Sequence, residues 1–242
     1  MLKERIYEGK AKILYKSDKN DLIYQYFKDD ATAFNALKKD IISGKGILNN
    51  FISEFIMNEL NKQKINTHFV KRIDDRVQLV QKLNILPLEV IVRNYAAGSI
   101  CKRLDIKENT NFKLPLIEFC YKRDDLGDPL ITEDHILLLE IATESEIKLI
   151  KAITNNINDV LLKLFDSINI KLVDFKIEFG RNDLKQIILA DEISPDSCRL
   201  WDNNTGEKMD KDRFRLDLGS LTKYYAEIAN RFNINLPNFD YA

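Results

Sequence analysis

Alternating apolar and polar positions predict β-structure through most of the first eighty or so residues. The runs RIYEGKAKILYKS and LIYQYFKD are rich in β-branched and aromatic residues, and the turn-forming stretch DKND separates them. Two further strands are predicted within THFVKRIDDRVQLVQKLN, where Asp74 and Asp75 mark a tight turn. A helix interrupts this part of the chain, because Ile52, Phe55 and Leu60 recur at helical spacing in GILNNFISEFIMNELNKQK.

Helices are predicted to dominate the rest of the chain. PLEVIVRNYAAGSICKRL begins as a strand and turns helical near Ser99, and LGSLTKYYAEIANRF forms a last helix. The longest predicted helix is TESEIKLIKAITNNINDVLLKLFDSIN, where Thr143 and Glu146 are typical of a capping box. The five prolines and eight glycines mark no long linker, so the β-rich first part and the second part are expected to pack closely.

A β-hairpin with an unusual polar face is predicted from LVDFKIEFG, the turn GRND and LKQIILADE. Because strand side chains alternate, Asp174, Lys176 and Glu178 share the face opposite to the apolar residues. A solvated surface strand is one explanation of this row. If instead a bend or bulge brings Glu178 close to Asp191, two carboxylates and a lysine meet, as in Mg²⁺ sites beside nucleotide phosphates. The sequence leaves the register of the hairpin open.

Two other clusters of polar residues lie at predicted strand ends. DEISPDSCRLWD follows the hairpin without a break and carries Arg199, and in VRNYAAGS Arg93 ends a strand just before Gly98 and Ser99. Backbone N–H groups and a hydroxyl at a helix start favour an anion, and an arginine adds a bidentate contact to a phosphate. The alternative for VRNYAAGS is an exposed arginine before a helix cap.

A glycine turn near the N-terminus is a further candidate for holding phosphate. In YEGKAKILY, Gly9 lies between β-type residues and precedes Lys10 and Lys12, which could cover phosphates. A surface hairpin that carries lysines has the same pattern. Neither GxxxxGK(S/T) nor GxGxxG occurs in the chain, so a nucleotide would have to be held in another way.

Composition narrows the chemistry to charged side chains. A net charge of −1 argues against a dedicated nucleic-acid binder, and no apolar run approaches the roughly 18 residues of a membrane span. MLKERIYEGK lacks the apolar segment of a signal peptide, and three scattered cysteines without a CxxC pair indicate reduced thiols, so a cytoplasmic location is expected. His68 and His135 are the only histidines, and neither lies in a triad motif. An enzyme of this composition would rely on Lys, Arg, Asp and Glu, which suit anionic substrates and Mg²⁺.

Seven stretches, in order along nearly the whole chain, resemble the SAICAR synthetases, or phosphoribosylaminoimidazole-succinocarboxamide synthases. They are YEGKAKILY, DDATAFNALKKDIISGKGILNN, LPLEVIVRNYAAGS, YKRDDLGDP, LVDFKIEFG, DEISPDSCRLWD and MDKDRFR. Any one of them could arise by chance, but the ordered set is highly specific, and no charged motif position clearly departs from the family pattern. The length resembles that of the single-function bacterial enzyme.

The resemblance implies an ATP-dependent ligase of de novo purine synthesis. Such an enzyme joins L-aspartate to the carboxylate of CAIR, the carboxylated aminoimidazole ribotide, and gives SAICAR, ADP and phosphate, with Mg²⁺ as the metal. The implied fold is α+β, two-lobed, and kinase-like or ATP-grasp-like, with ATP in the cleft. Residues 1–83 would form a β-rich lobe that covers ATP, and residues 84–242 a larger α/β lobe with the metal and CAIR sites. The expected partners are these small molecules, without nucleic acid or membrane; a homodimer is one candidate assembly.

The resemblance also implies roles for individual residues. Catalysis is assigned to Lys176, Glu178 and Asp191, and the two acids would hold the metal. A glycine turn and an inter-lobe hinge would bind ATP through Gly9, Lys10, Ala11, Lys12, Lys82, Leu83 and Ile85. The CAIR site would comprise Arg93, Ser99, Asp174, Lys176, Asp196 and Arg199. L-Aspartate needs cations or backbone N–H donors, for which the candidates are Asn35, Lys45 and Arg215.

The aspartate site is the least determined by the sequence. Gly44 and Gly46 would let the backbone approach a carboxylate closely. The alternative for Lys45, which lies between them, is a loop lysine exposed to solvent.

Two other functions share this inventory of residues. A small-molecule kinase would use the same ATP cleft but would transfer phosphate to a hydroxyl and need no amine. A nucleotide-binding regulator would bind ATP without turnover, which the presence of both Glu178 and Asp191 disfavours. ADP release with CAIR, measured with and without L-aspartate, separates these functions.

Overall fold

The structure is a computed structural model that describes residues 4–33 and 37–241. Its helices are α1 (Lys45–Lys62), α2 (Ser99–Leu104), α3 (Glu133–Leu138), α4 (Glu144–Ser167), α5 (Asp212–Arg215) and α6 (Leu221–Arg231). Its strands are β1 (Arg5–Glu8), β2 (Lys12–Lys16), β3 (Leu22–Phe27), β4 (Asp30–Ala33), β5 (Lys38–Ile41), β6 (Phe69–Arg72), β7 (Val77–Gln81), β8 (Asn84–Tyr95), β9 (Asn111–Tyr121), β10 (Leu130–Ile131), β11 (Ile170–Arg181), β12 (Ile187–Ala190) and β13 (Cys198–Asp202). None of the described helices combines the length and the apolar character needed to cross a membrane.

The first part of the chain forms a five-stranded antiparallel sheet, as the alternating pattern predicts. The strand order is β1-β2-β3-β7-β6. The turn at Asp74–Asp75 joins β6 to β7, and β4 pairs separately with β5. The predicted helix is α1, which begins at Lys45. The strands and the helix expected from this part of the sequence are therefore confirmed.

A six-stranded sheet forms the centre of the second part of the chain. Its order is β10-β9-β8-β11-β12, and β13 also pairs with β11. Six strands accompany the helices of this part, which is more β-structure than the sequence predicts, and the mixed α+β class is confirmed. The strand β9 contains Pro115 and is largely exposed in its first half, so its period-two pattern is weak in the sequence.

One hydrophobic core includes residues from both parts of the chain. Ile52, Ile56 and Leu60 of α1 belong to the same buried cluster as the apolar residues of β8, β11 and α4. The rings of Phe55 and Phe232 also lie against each other, with centroids 4.7 Å apart.

The link between the two sheets falls at residues 82–83, where the lobe boundary is predicted. Because α1 packs on the second part, this division into lobes stays a prediction.

The long helix α4 begins with the predicted capping box. The Thr143 hydroxyl accepts from the Glu146 N–H at 3.3 Å, and the Thr143 N–H donates to the Glu146 carboxylate at 2.8 Å. Arg181 of β11 donates two further hydrogen bonds to that carboxylate, at 2.6 and 2.8 Å. The hydrogen bonds from Arg181 are the main cause that lowers the pKa of Glu146 to about 2. Glu146 thus ties the start of α4 to the central sheet.

Replacing Glu146 with glutamine is expected to lower the free energy of unfolding at neutral pH by about 1–2 kcal/mol. Glutamine keeps a capping acceptor but lacks the charge that pairs with Arg181. Because the pKa is lowered from 4.5 in the folded state, this contribution is present above pH 4.5 and is lost as the pH falls towards 2. Urea unfolding of both proteins at neutral pH and at a pH between the two pKa values measures the difference.

The matched control is Glu144→Gln, which removes a charge from the same helical turn. Glu144 forms an exposed pair with Lys148, and such pairs contribute little. If Glu146→Gln costs no more than Glu144→Gln, the tie to the central sheet has no energetic role.

Candidate functional site

The hairpin brings its two strand-end acids together. Glu178 of β11 pairs with Ala190 of β12, so Asp191, the next residue, lies beside Glu178. Asp191 has a left-handed backbone conformation, with φ of 63°, at the point where the chain leaves the strand. Glu178 and Asp174 are both buried, so the interpretation of this face as a solvated surface is wrong.

Three lysines neutralise the two acids. Lys122, directly after β9, places its Nζ 2.7 and 2.6 Å from the two carboxylate oxygens of Glu178. Lys12 of β2 forms an ion pair with Asp191. The Nζ of Lys176 lies 3.8 Å from Glu178. Through Lys12, the first sheet takes part in a site built mainly on the second.

Two more carboxylates complete this charged cluster. Glu89 of β8 lies 2.5 Å from the Nζ of Lys176, and Glu192 lies 2.9 Å from the Nζ of Lys12. The Ser194 hydroxyl donates to Glu192 at 2.6 Å. Including Glu178 and Asp191, the cluster contains four carboxylates, which surround the ammonium groups of three lysines.

Burial and neighbouring charges shift the pKa values of the two acids in opposite directions. Burial, followed by the charge of Asp191, raises the pKa of Glu178. Burial acts in the same direction on Asp191, but Lys12 and Lys176 outweigh it and hold the pKa of Asp191 below its ordinary value. Burial also opposes the charge of these two lysines, yet the acids raise their pKa values. The acids therefore repel each other in a buried site, and a divalent cation would relieve this repulsion.

A second cluster forms where Asp174 lies between the two predicted arginines. Asp174 pairs with Arg93 on β8 and with Arg199 on β13, which flank β11 on either side. The Nη1 atoms of Arg93 and Arg199 lie 3.0 and 2.7 Å from Oδ2 of Asp174. Arg93 also donates to the hydroxyl of Ser99, at the start of α2, at 3.2 Å. Arg93 is buried, so the interpretation as an exposed arginine before a helix cap is wrong.

Gly98 and Asp212 fix the position of Arg199. Gly98 has φ of +65°, and a Cβ atom built there would lie 2.5 Å from the Arg199 NH2. Arg199 Nε donates to Asp212 at 2.8 Å, and Arg215 donates to the other oxygen of Asp212 at 2.5 Å. Arg215, predicted to bind aspartate, thus joins the cluster that contains the predicted CAIR arginines.

Lys45 lies in a buried ion pair. Its side chain is fully buried, and its Nζ lies 2.8 Å from Asp196. The Tyr225 hydroxyl donates to Asp196 at 2.7 Å, and Lys211 lies 3.8 Å away. The interpretation of Lys45 as an exposed loop lysine is therefore wrong. Lys45 and Asp196, predicted to serve different substrates, are direct partners.

The backbone donors of Gly44 and Gly46 bind a carboxylate of the protein itself. Their N–H groups donate to Asp29 at 3.3 and 2.9 Å, and Arg76 holds the same carboxylate at 2.7 and 2.8 Å. The backbone therefore approaches a carboxylate closely, as predicted, but this carboxylate is Asp29 of the protein and not part of a substrate. Asn35, the remaining candidate of this segment, lies outside the described residues.

The predicted nucleotide-binding turn lies beside the acidic site. The Gly9 N–H donates to the Lys12 carbonyl at 2.8 Å, so Lys10 and Ala11 form a tight turn. Lys10 reaches Asp124 of the second part at 2.6 Å. The turn therefore contacts the second part of the chain through the side chains of both of its lysines.

The predicted hinge residues link the two sheets. Lys82 and Leu83 lie between β7 and β8, and the Lys82 N–H donates to the Asp21 carbonyl at 2.8 Å. Ile85 is 42% exposed. Gly180 of β11 lies against them. A Cβ atom there would lie 2.8 Å from Leu83 and 3.2 Å from Ile85, so a larger residue would displace these side chains.

Several residues of these clusters were not assigned from the sequence. Lys122 lies within YKRDDLGDP, and Lys211 and Asp212 lie within MDKDRFR, so the stretches that carry the family resemblance held a signal for them. Glu89 and Glu192 also lie in such stretches, LPLEVIVRNYAAGS and DEISPDSCRLWD. Tyr225, the partner of Asp196, and His68, whose imidazole lies 2.8 Å from the Asp191 carbonyl, lie outside all seven stretches and have no local signal.

Comparisons with known proteins agree over nearly the whole chain. The family model for SAICAR synthetase matches residues 5–232. The phosphoribosylaminoimidazole-succinocarboxamide synthase of Caldanaerobacter subterraneus is 57% identical, covering 95% of this chain and 97% of that protein. Among solved structures, the synthase from Ehrlichia chaffeensis has a TM-score of 0.94 and 49% identity, covering 97% of this chain and 100% of that one. A SAICAR synthetase in complex with ADP has a TM-score of 0.94 and 44% identity, covering 98% and 100%. This chain therefore belongs to the SAICAR synthetase family.

Proposed function

We propose that this protein is an ATP-dependent ligase that joins L-aspartate to the carboxylate of CAIR and releases SAICAR, ADP and phosphate in purine synthesis. The observation that carries the proposal is the 57% identity with a named synthase over 95% of this chain. Purified protein with ATP, Mg²⁺, CAIR and L-aspartate should form a product whose mass is that of CAIR plus aspartate minus water. If a folded protein that binds ATP forms no such product, the proposal fails.

The reaction requires an activated carboxylate. A carboxylate is a poor electrophile, so phosphoryl transfer from ATP to the CAIR carboxylate supplies a leaving group and releases ADP. The neutral amine of aspartate then forms the amide bond and displaces phosphate. Phosphoryl transfer depends mainly on positioning and on neutralisation of charge. The ammonium groups of Lys12, Lys122 and Lys176 provide that neutralisation beside the buried acids.

Glu178 and Asp191 are proposed to hold Mg²⁺. Within the part of the chain that the structure describes, no group of three or more His, Cys, Asp or Glu side chains is placed to hold a metal. Two adjacent buried carboxylates nevertheless suit Mg²⁺, which often takes one or two protein carboxylates and completes its shell with phosphates and water. When bound, the ion would neutralise negative charge on the phosphates. Lys12 and Lys122 pair with these acids, and when the acids hold the ion their ammonium groups would be available to a phosphate.

ATP is proposed to lie between the Gly9 turn and the Lys82–Leu83 link, with its phosphates near Lys10 and Lys12. The proximity of this turn to the acidic pair supports the assignment, because Lys12 and Asp191 are in contact. The solved relative in complex with ADP is consistent with a nucleotide as ligand.

Replacing Lys12 with alanine is expected to raise the KM for ATP about tenfold or more and to change the KM for CAIR much less. Lys12 is a cation of the first sheet, whereas the arginine cluster belongs to the second. Steady-state kinetics with each substrate varied in turn measures both constants. Lys16→Ala, which removes an exposed lysine from the same strand, is the control. An equal loss of affinity for both substrates would indicate a folding defect and contradict the assignment.

CAIR is proposed to bind with its ribose phosphate at Arg93, Ser99 and Arg199. Lys176 and Asp196 would then lie near the imidazole and its carboxylate. Asp174 supports this arrangement because it holds both arginines on neighbouring strands. The two clusters share β11, where Asp174 and Glu178 are four residues apart, so substrate phosphate and metal would bind to one rigid strand.

L-Aspartate is proposed to bind near Arg215, with Lys45 and Asn35 as further candidates. Arg215 is the more accessible cation, because Lys45 is fully buried and already paired. Arg215→Gln is expected to raise the KM for aspartate about tenfold at saturating ATP and CAIR. A change of less than about threefold, or roughly 0.7 kcal/mol, would exclude Arg215 from the aspartate site.

A cytoplasmic location and a homodimer are also proposed. The described cysteines Cys101, Cys120 and Cys198 are free thiols, which supports a reducing compartment.

For the homodimer, Leu137, Leu138 and Leu139 are all exposed in one run, and such a patch suits a protein–protein contact. Cell fractionation and light scattering of the purified protein test these two proposals; a secreted or monomeric protein would contradict them.

A further inference from the structure

Asp191, one carboxylate of the proposed metal site, has an unusual backbone conformation. It is not glycine, yet its φ of 63° lies in the left-handed region. Its carbonyl oxygen lies 2.8 Å from the Nε2 of His68. His68 is 4% exposed, so this hydrogen bond is shielded from water. A buried carbonyl needs a donor, and His68 is the donor that the structure provides.

The backbone of His68 is fixed on both sides by strands of different sheets. Its N–H donates to the Leu189 carbonyl of β12 at 2.8 Å, and its carbonyl accepts from the Gln81 N–H of β7 at 2.7 Å. Thr67, the preceding residue, also forms a parallel bridge with Leu189. Gln81 directly precedes the Lys82–Leu83 link. His68 therefore lies at the junction of the two sheets.

The partner of the imidazole determines its tautomer. A carbonyl oxygen only accepts hydrogen bonds, so the Nε2 of His68 must carry the hydrogen. The bond orients the peptide plane that follows Asp191. The same residue directs its carboxylate to Lys12 and holds it beside Glu178, so a rotation of this peptide would displace one acid of the pair.

We propose that His68 is a positioning residue that holds Asp191 in its left-handed conformation and thereby couples the five-stranded sheet to the acidic pair. The kinetic part of this inference rests on the proposed function. The geometric part does not, because the hydrogen bond joins two groups of the protein itself.

Two substitutions of similar size separate positioning from packing. Glutamine in His68→Gln can place an amide N–H near the position of Nε2, whereas His68→Met fills similar space without a donor. His68→Met is expected to lower kcat at least thirtyfold, and His68→Gln to stay within about fivefold of the parent protein. Calorimetric binding of ADP with Mg²⁺ should weaken in the methionine variant and be restored in the glutamine variant. Equal behaviour of the two variants in both measurements would overturn the proposal.

A double-mutant cycle tests whether His68 acts through Asp191. In an Asp191→Asn background, His68→Met is expected to change kcat by less than about threefold, because the acid that it positions no longer has its charge. The same thirtyfold loss in that background would show an independent structural role and overturn the proposal.

Imidazole ¹⁵N shifts of the parent protein, measured without substrates, provide a readout that does not depend on activity. Hydrogen on Nε2 is expected. A ring with hydrogen on Nδ1 alone would overturn the proposal. If the protein lacks ligase activity altogether, the proposed function fails, while the tautomer and the binding of ADP still decide the role of His68. If the methionine variant does not fold, the tautomer and the glutamine variant decide it.

Discussion

Replacing Asp191 with asparagine is expected to lower turnover about a thousandfold while the fold stays intact. Asparagine has nearly the same shape and tolerates the left-handed conformation at φ of 63° as well as aspartate does. The substitution removes one charge of the acidic pair, and Lys12 is left with Glu192 as its partner. Turnover at saturating substrates should therefore fall about a thousandfold, whereas the thermal midpoint of unfolding should change little.

The control for this substitution is Asp183→Asn. Asp183 is exposed in the turn of the same hairpin, so the same formal charge is removed away from the site. Turnover of this variant should equal that of the parent protein. Near-normal turnover of Asp191→Asn at limiting Mg²⁺ would remove Asp191 from the proposed metal site.

Replacing Arg199 with lysine is expected to lower kcat/KM for CAIR about 10- to 100-fold. The guanidinium of Arg199 bridges Asp174 and Asp212 at 2.7 and 2.8 Å and leaves its NH2 beside Gly98. A lysine ammonium keeps the charge but cannot span both acids and present a planar fork. The KM for ATP should change little. If CAIR binds this variant as tightly as the parent protein, phosphate capture by Arg199 is wrong.

Gly98→Ala tests the same guanidinium without changing its chemistry. The added methyl group would lie 2.5 Å from the Arg199 NH2, so the arginine must move. Gly206→Ala is the matched control, since Gly206 also has positive φ, +73°, but nothing within 4 Å of a built Cβ atom. Both variants place alanine at positive φ. A larger increase in the KM for CAIR for Gly98→Ala therefore reports on the displaced arginine.

Local patterns were enough to predict some of the elements around the candidate site, but not β9, which precedes Lys122, or β13, which carries Arg199. Alternation identifies β11, and the capping residues Thr143 and Glu146 mark the start of α4. The register between β11 and β12 depends on tertiary packing rather than on local pattern. Only the pairing of Glu178 with Ala190 shows that the two acids are adjacent.

The partners of the site residues could not be predicted from spacing. Lys122 reaches Glu178 from a position 56 residues away, and Lys45 reaches Asp196 from one 151 residues away. Such pairs are created by the fold, and a single sequence contains no pattern that links them. The burial of Lys45 illustrates this limit, because its glycine-flanked sequence is typical of an exposed loop.

The proposed ligase consumes ATP in order to join an amine to the CAIR carboxylate. The most direct measurement is the initial rate of ADP release with CAIR, in the presence and absence of L-aspartate, with the condensation product quantified in the same samples. Sustained ADP release is expected to require L-aspartate and to equal product formation in amount. Sustained ADP release at the same rate without L-aspartate, with no condensation product in either sample, would contradict this expectation and favour a kinase.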